Sequence, residues 1–147
     1  MKTTENTPVE GKEKNDSTGQ AEYTEEKYPH SEITSRIIKC AIEVHKVLGP
    51  GFMESIYEKA LIYEMRQDGL KVDAQVLVPI VYKGNNVGEH RLDLLVEDAV
   101  IVENKTVKEF NEVHQAQVLS YLKATGKRIG LLLNFAKTKL EIKRIIL

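Results

Sequence analysis

Apolar residues along this chain change their spacing in blocks, and the blocks read as elements. Ile33, Ile37, Ile38, Ala41, Ile42 and Leu48 recur at helical spacing, with Ser31 as N-cap, Glu32 in the first turn and Gly49-Pro50 as the stop. A second helix is predicted from about Phe52, burying Ile56, Tyr57, Ala60, Leu61 and Met65 and ending at Gly69. The period then shortens. Lys71 to Tyr82 reads as a strand whose Pro79 implies an edge, an end or a bulge. Lys83-Gly-Asn-Asn turns the chain back through Val87 to Val96, and a further strand ends at Lys105. Helical spacing returns from about Asn111 to Thr125, with Val113, Ala116, Leu119 and Leu122 on one stripe and Gly126 closing it. Arg128 to Phe135 and Leu140 to Leu147 read as two last strands. The order is helix, helix, a three-strand meander, helix, strand, strand: an α/β domain with a mixed sheet over residues 31–147.

One hairpin carries charge where strands should not. In RLDLLVEDAVIVENK, residues 91–105, two apolar runs flank Glu97 and Asp98, yet Asp93 sits inside the first run and Glu103-Asn-Lys105 ends the second. If residues 97–99 form the loop, Val96 faces Val100 and Asp93 faces Glu103, with Lys105 on the same side. Leu92, Leu94, Val100 and Val102 on one face and Leu95 and Ile101 on the other describe strands covered on both sides. Charges there are costly unless paired or bound to metal. A cross-strand salt bridge to Lys105 is one reading. The other is a hard-cation site, since two carboxylates can hold Mg²⁺ or Mn²⁺ through oxygen and a lysine beside them can offset charge on a phosphate.

Residues 1–30 hold almost no aliphatic side chain and more acids than bases, which predicts a disordered polar tail and leaves the domain mildly basic. The bases gather late: Lys127, Arg128, Lys137, Lys139, Lys143 and Arg144 are opposed only by Glu141, as a solvated edge or as a phosphate-binding surface. Cys40 is the only cysteine, which excludes an intramolecular disulfide and a thiolate cluster. Without an apolar N-terminal segment or a run of membrane length, a cytoplasmic protein with no membrane partner is expected. Nucleotide-binding glycine motifs are absent from the sequence.

Gly51-x-x-Glu54-x-x-Tyr57 within LGPGFMESIYEKAL, then RLDLLVED, then VIVENK, then VHQAQVLSYLKATGKRIGLLLNF together resemble the GxxExxY protein family, which is grouped with the PD-(D/E)XK nuclease superfamily. The resemblance covers residues 31–147 and implies a restriction-endonuclease-like αβββαβ core with its active site on the central hairpin. It implies that Asp93 is the first metal-binding acid and that Glu103 and Lys105 are the (D/E)xK pair. Glu54, which alone would read as a helix-dipole residue, becomes a third carboxylate, and the Asn104 carbonyl a further ligand. Gln117 and Tyr121 match a QxxxY element, with Gln117 positioning Lys105 or a substrate phosphate and Tyr121 stacking on a base or packing. His114 shares their helix face as a substrate contact or as a surface histidine. Lys127 and Arg128 are candidate substrate contacts.

The function implied is a Mg²⁺- or Mn²⁺-dependent nuclease acting on DNA in repair, defence or mobile-element contexts. The alternatives are a non-catalytic nucleic-acid-binding or scaffold protein on the same fold, or RNA as the substrate. The C-terminal RIIL could close the sheet or pair with a second copy, so a homo-oligomer or a protein partner is also in view.

Overall fold

The structure is a computed structural model that describes residues 2–4 and 27–147. Its elements run β1 (Lys2–Thr4), α1 (Ser31–Leu48), α2 (Glu54–Gln67), β2 (Val72–Tyr82), β3 (Asn85–Val96), β4 (Val100–Lys105), α3 (Glu112–Thr125), β5 (Ile129–Asn134) and β6 (Glu141–Ile146). The strands form one six-stranded sheet in the order β1-β6-β5-β4-β3-β2. β4 and β5 are parallel and joined by α3; every other neighbouring pair is antiparallel. The expected polar tail falls mostly outside the described residues, apart from β1, whose backbone pairs with β6, and residues 27–30, which lead into α1.

Two layers of helix cover the sheet because its central strands are apolar on both faces. All six residues of β5 are buried. On one face Ile37, Ala41 and Val44 of α1 and Tyr57, Leu61 and Met65 of α2 pack on Leu94, Val96, Val100, Val102, Leu131 and Leu133. On the other, Val118, Tyr121 and Leu122 of α3 pack on Leu92, Leu95, Ile101, Leu132 and Ile145. Such a sheet is stable only when both faces are covered.

Several boundaries differ from the sequence reading for tertiary reasons. His30, with φ 54°, takes the N-cap position of α1, and Ser31 is its buried first residue. Helix α2 begins at Glu54 rather than Phe52, because Phe52 belongs to a loop and its N–H is taken by the hydroxyl of Tyr57, described below. Ile42 and Ile56 sit at helical spacing yet are exposed. On α3 the stripe shifts: Val113 is exposed and Val118, Tyr121 and Leu122 are buried. The reason is Gly130. A Cβ at that position would lie 2.6 Å from Val118 Cγ1, so the missing side chain lets the middle of α3 approach the sheet. The first turn of α3 is instead largely exposed, held by a capping box between Asn111 and His114.

This close approach is testable. Gly130→Ala is expected to destabilise the fold by about 1–3 kcal/mol through overpacking. Val118→Ala in the same chain should recover part of that loss, so urea unfolding of the single and double variants should show clear non-additivity.

Candidate active site

The site is made where a ladder stops. Glu97 and Asp98 both adopt left-handed backbone, with φ 54° and 53°, and Ala99 N–H donates to Val96 O at 3.0 Å, which makes a type I′ turn. Glu97 stabilises it from outside by accepting the Lys71 N–H at 2.7 Å. From this turn the register runs Val96 to Val100, Leu95 to Ile101 and Leu94 to Val102, and there the pairing of β3 with β4 ends. Beyond it the next two residues, Asp93 and Glu103, bridge the strands with side chains. Asp93 N–H donates to Glu103 Oε2 at 3.3 Å, and Asn104 N–H donates to Asp93 Oδ2 at 3.2 Å.

Strand β3 is also irregular on its other side. Ala74 pairs with Leu94 and Val76 with Leu92, but Gln75 between them has φ 53°. Alternation fails across Asp93: Leu94 and Val96 face α1 and α2, whereas Leu92 packs on the α3 side. The sequence expectation for Leu92 is thereby corrected. A kink of this kind re-aims a strand side chain, as bulges beside active sites do.

Burial and crowding set the charges. Glu103 is 3% exposed. Loss of solvent and then the neighbouring Asp93 push its carboxyl up to about 8. Burial also raises Asp93, opposed by the Asn104 N–H, by Glu103 and by Lys105. Two carboxyl groups this close share a proton more readily than they ionise together. Lys105 projects from the same face of β4, and its Nζ donates to Gln117 Oε1 of α3 at 3.2 Å. Glu54 stands at the rim on the first turn of α2. Partial desolvation and then the charge of Asp93 raise its carboxyl, while Lys105 lowers it. Tyr121 is buried beside the pair; burial, then Glu103 and Asp93, push its phenol up to about 12, so it stays protonated across the usual pH range.

The structure therefore gathers Glu54, Asp93, Glu103, Lys105, Gln117 and Tyr121 around one gap. The Asn104 N–H faces that gap, and its carbonyl, which points the same way along a strand, faces it too. Its side chain lies on the α1 and α2 face, fully buried, and neither amide atom has a hydrogen-bond partner among the described residues. Tyr121 packs its ring edge-on against His90, with centroids 4.8 Å apart. His114 accepts the Asn111 N–H through Nδ1 and so serves the helix terminus. Lys127 and Arg128 are not brought to the gap. They precede β5 at the end where Ile129 meets Val100, five residues of strand from Lys105, and Lys127 pairs with Asp98 at 3.5 Å. Gly51 and Tyr57 lie in and under the loop that leads into α2.

Two participants escaped the sequence reading. His90 has no motif spacing and is found only because β3 carries it to Tyr121. Phe135 looked like the end of an apolar strand, yet its N–H donates to Lys105 O at 3.0 Å and anchors the last residue of β4.

A divalent cation fits this donor set chemically. Hard carboxylate oxygens are what Mg²⁺ and Mn²⁺ prefer, and a cation offers the buried pair an ionic alternative to its shared proton. Among the described residues no group of three or more His, Cys, Asp or Glu is yet gathered tightly enough to hold a metal ion, Glu54 included. The two buried acids form the core of the donor set and the rim acid would have to close on it.

The family model of the PD-(D/E)XK nuclease superfamily matches residues 31–145, and the chain belongs to that superfamily. No curated protein and no solved structure matched it. Membership accounts for the mixed α/β sheet flanked by helices, and it implies a nucleic-acid substrate and use of a divalent metal.

The buried acid has a consequence for stability. Because the folded value of Glu103 lies above its unfolded value, the native state binds more protons between them, so stability falls as pH rises through that window. In chelator, unfolding by urea should show a steady loss from about pH 4.5 to about pH 8. Glu103→Gln should flatten the slope, and a slope unchanged by that substitution would assign it to another group.

Proposed function

We propose that this chain is a metal-dependent nuclease of the GxxExxY type that hydrolyses phosphodiester bonds in DNA. The observation that carries the reading is the paired Asp93 and Glu103 at the end of the β3 and β4 ladder, with Lys105 beside them on one face. Asp93, Glu103 and the Asn104 carbonyl would hold Mg²⁺ or Mn²⁺, with Glu54 from the rim. When bound, such a cation polarises a phosphoryl oxygen and lowers the pKa of water. Lys105 balances the charge that builds on the phosphate, and Gln117 keeps its ammonium aimed. Tyr121 and His90 wall the gap on the α3 side. The spacing of Gly51, Glu54 and Tyr57 supports the finer family assignment. A cytoplasmic setting suits the chemistry, and among the described residues no helix is long and apolar enough to cross a membrane.

The C-terminal bases support a path for the rest of the strand. Arg144 is buried against Thr34, Lys127 pairs with Asp98, and Lys137 lies between Glu109 and Glu141. Lys139 and Lys143 have no ion pair among the described residues, and with Lys137 they line a cleft of about 430 Å³. Lys143 pairs with Leu132, which pairs with Glu103, so the lysine lies two strands from the acid on the same face of the sheet. Adjacent strands are about 4.8 Å apart, which puts the lysine row within reach of phosphates flanking the reacting one.

Cleavage of linear, circular and single-stranded DNA, with structured RNA alongside, tests the reading. Breakdown of DNA should require Mg²⁺ or Mn²⁺, and Asp93→Asn or Lys105→Ala should slow it at least about 100-fold without loss of fold. Binding without breakdown at any metal would replace the enzyme with a non-catalytic binding protein. Separately, Lys139→Ala with Lys143→Ala should weaken DNA binding and lower the slope of log affinity against log salt by about two, whatever the DNA sequence.

A further inference from the structure

We propose that Tyr57 is a positioning residue: it ties the loop that launches α2 to the ends of β4 and β5, and thereby sets where Glu54 stands relative to Asp93 and Lys105. The inference rests on the nuclease reading for the role of Glu54, but the clamp itself is a matter of contacts.

Helix α2 has no side-chain cap at its N-cap residue, Met53, and the loop before it contains Gly49 at φ 71° and Gly51 at φ 113°. Glycines in such conformations leave a loop with many alternatives when unfolded, so something else must hold it. Tyr57 does so. Its hydroxyl donates to Gly49 O and accepts the Phe52 N–H at 3.1 Å, spanning the loop with one phenol. Phe52 also packs edge-on against the Tyr57 ring.

The ring makes the other half of the connection. Tyr57 is fully buried and stacks on Phe135 with centroids 4.6 Å apart and planes 11° from parallel. Phe135 is the residue whose N–H holds Lys105 O. A continuous path thus runs from Glu54, through its loop and Tyr57, to Phe135 and the backbone of Lys105. A core aromatic alone would be served by phenylalanine; a buried hydroxyl is costly unless it is paired, and here both of its partners are loop backbone. The Gly-x-x-Glu-x-x-Tyr spacing then has a mechanical meaning: a glycine that lets the loop turn, an acid at the rim, and one helical turn later the anchor that sets where the acid stands.

Tyr57→Phe keeps the ring and removes the hydroxyl, and three readouts test it. Hydrogen exchange should show the Phe52 amide protected in the native chain and released in the variant, with residues 58–67 of α2 unchanged. On DNA with Mn²⁺, the variant should lose about 10-fold in kcat or in Mn²⁺ affinity with KM held, as for groups that orient metal ligands. In a Glu54→Gln background the same change should add less than about twofold, because Tyr57 acts through Glu54. An unprotected Phe52 amide in the native chain, wild-type kcat and Mn²⁺ affinity in the variant, or an undiminished loss on top of Glu54→Gln would each overturn the proposal. If the native chain neither binds Mn²⁺ nor cleaves nucleic acid, the nuclease reading fails, and the exchange result alone decides whether Tyr57 clamps the loop.

Discussion

Two carboxylates occupy a place that should belong to backbone hydrogen bonds. Antiparallel strands normally continue pairing until a turn or an edge, but β3 and β4 part after Leu94 and Val102, and Asp93 and Glu103 close the opening with their side chains. Burial makes the pair expensive as two anions, which is why Glu103 retains a proton so far above the ordinary carboxylate range. The surrounding structure is arranged about that cost. Lys105 brings a compensating charge, Gln117 holds the lysine, and the apolar strands on both sides keep water from relaxing the arrangement.

The two helical layers have different jobs at this gap. Helix α3 is brought down on the sheet by the absence of a side chain at Gly130, which delivers Gln117 and Tyr121 to the acids. Helix α2 lies on the opposite face and reaches the site only with its first residue. Its placement depends on the contact of Tyr57 with Phe135 and on the loop held by the phenol. The gathered residues therefore come from both faces of the sheet at one end of β4.

The hairpin was readable from residue order because strand geometry has a fixed period of two. A loop of three residues sets the register, and two acids inside runs of Leu, Ile and Val stand out against it. Element order was readable for the same reason. Features decided by a different part of the chain were not. The buried stripe of α3 depends on Gly130 in β5, and Leu92 turns to the α3 side opposite a left-handed Gln75 in the neighbouring strand. The basic run divides according to partners remote in sequence: Thr34 takes Arg144 inward, and Asp98 holds Lys127 at the other end of the sheet. A lone His90 carries no spacing at all, so only the fold reveals its contact with Tyr121.

On the proposed reading, the buried acid pair exchanges its shared proton for a divalent cation. Titration calorimetry of Mn²⁺ into the protein at pH 7, repeated in buffers of different ionisation enthalpy, measures proton release directly. Close to one proton should be released for each ion bound, about the occupancy of a group titrating near 8, and none from Glu103→Gln. Binding without proton release, or equal release from the Glu103→Gln variant, would mean that the ion binds elsewhere and that the pair is not the metal site.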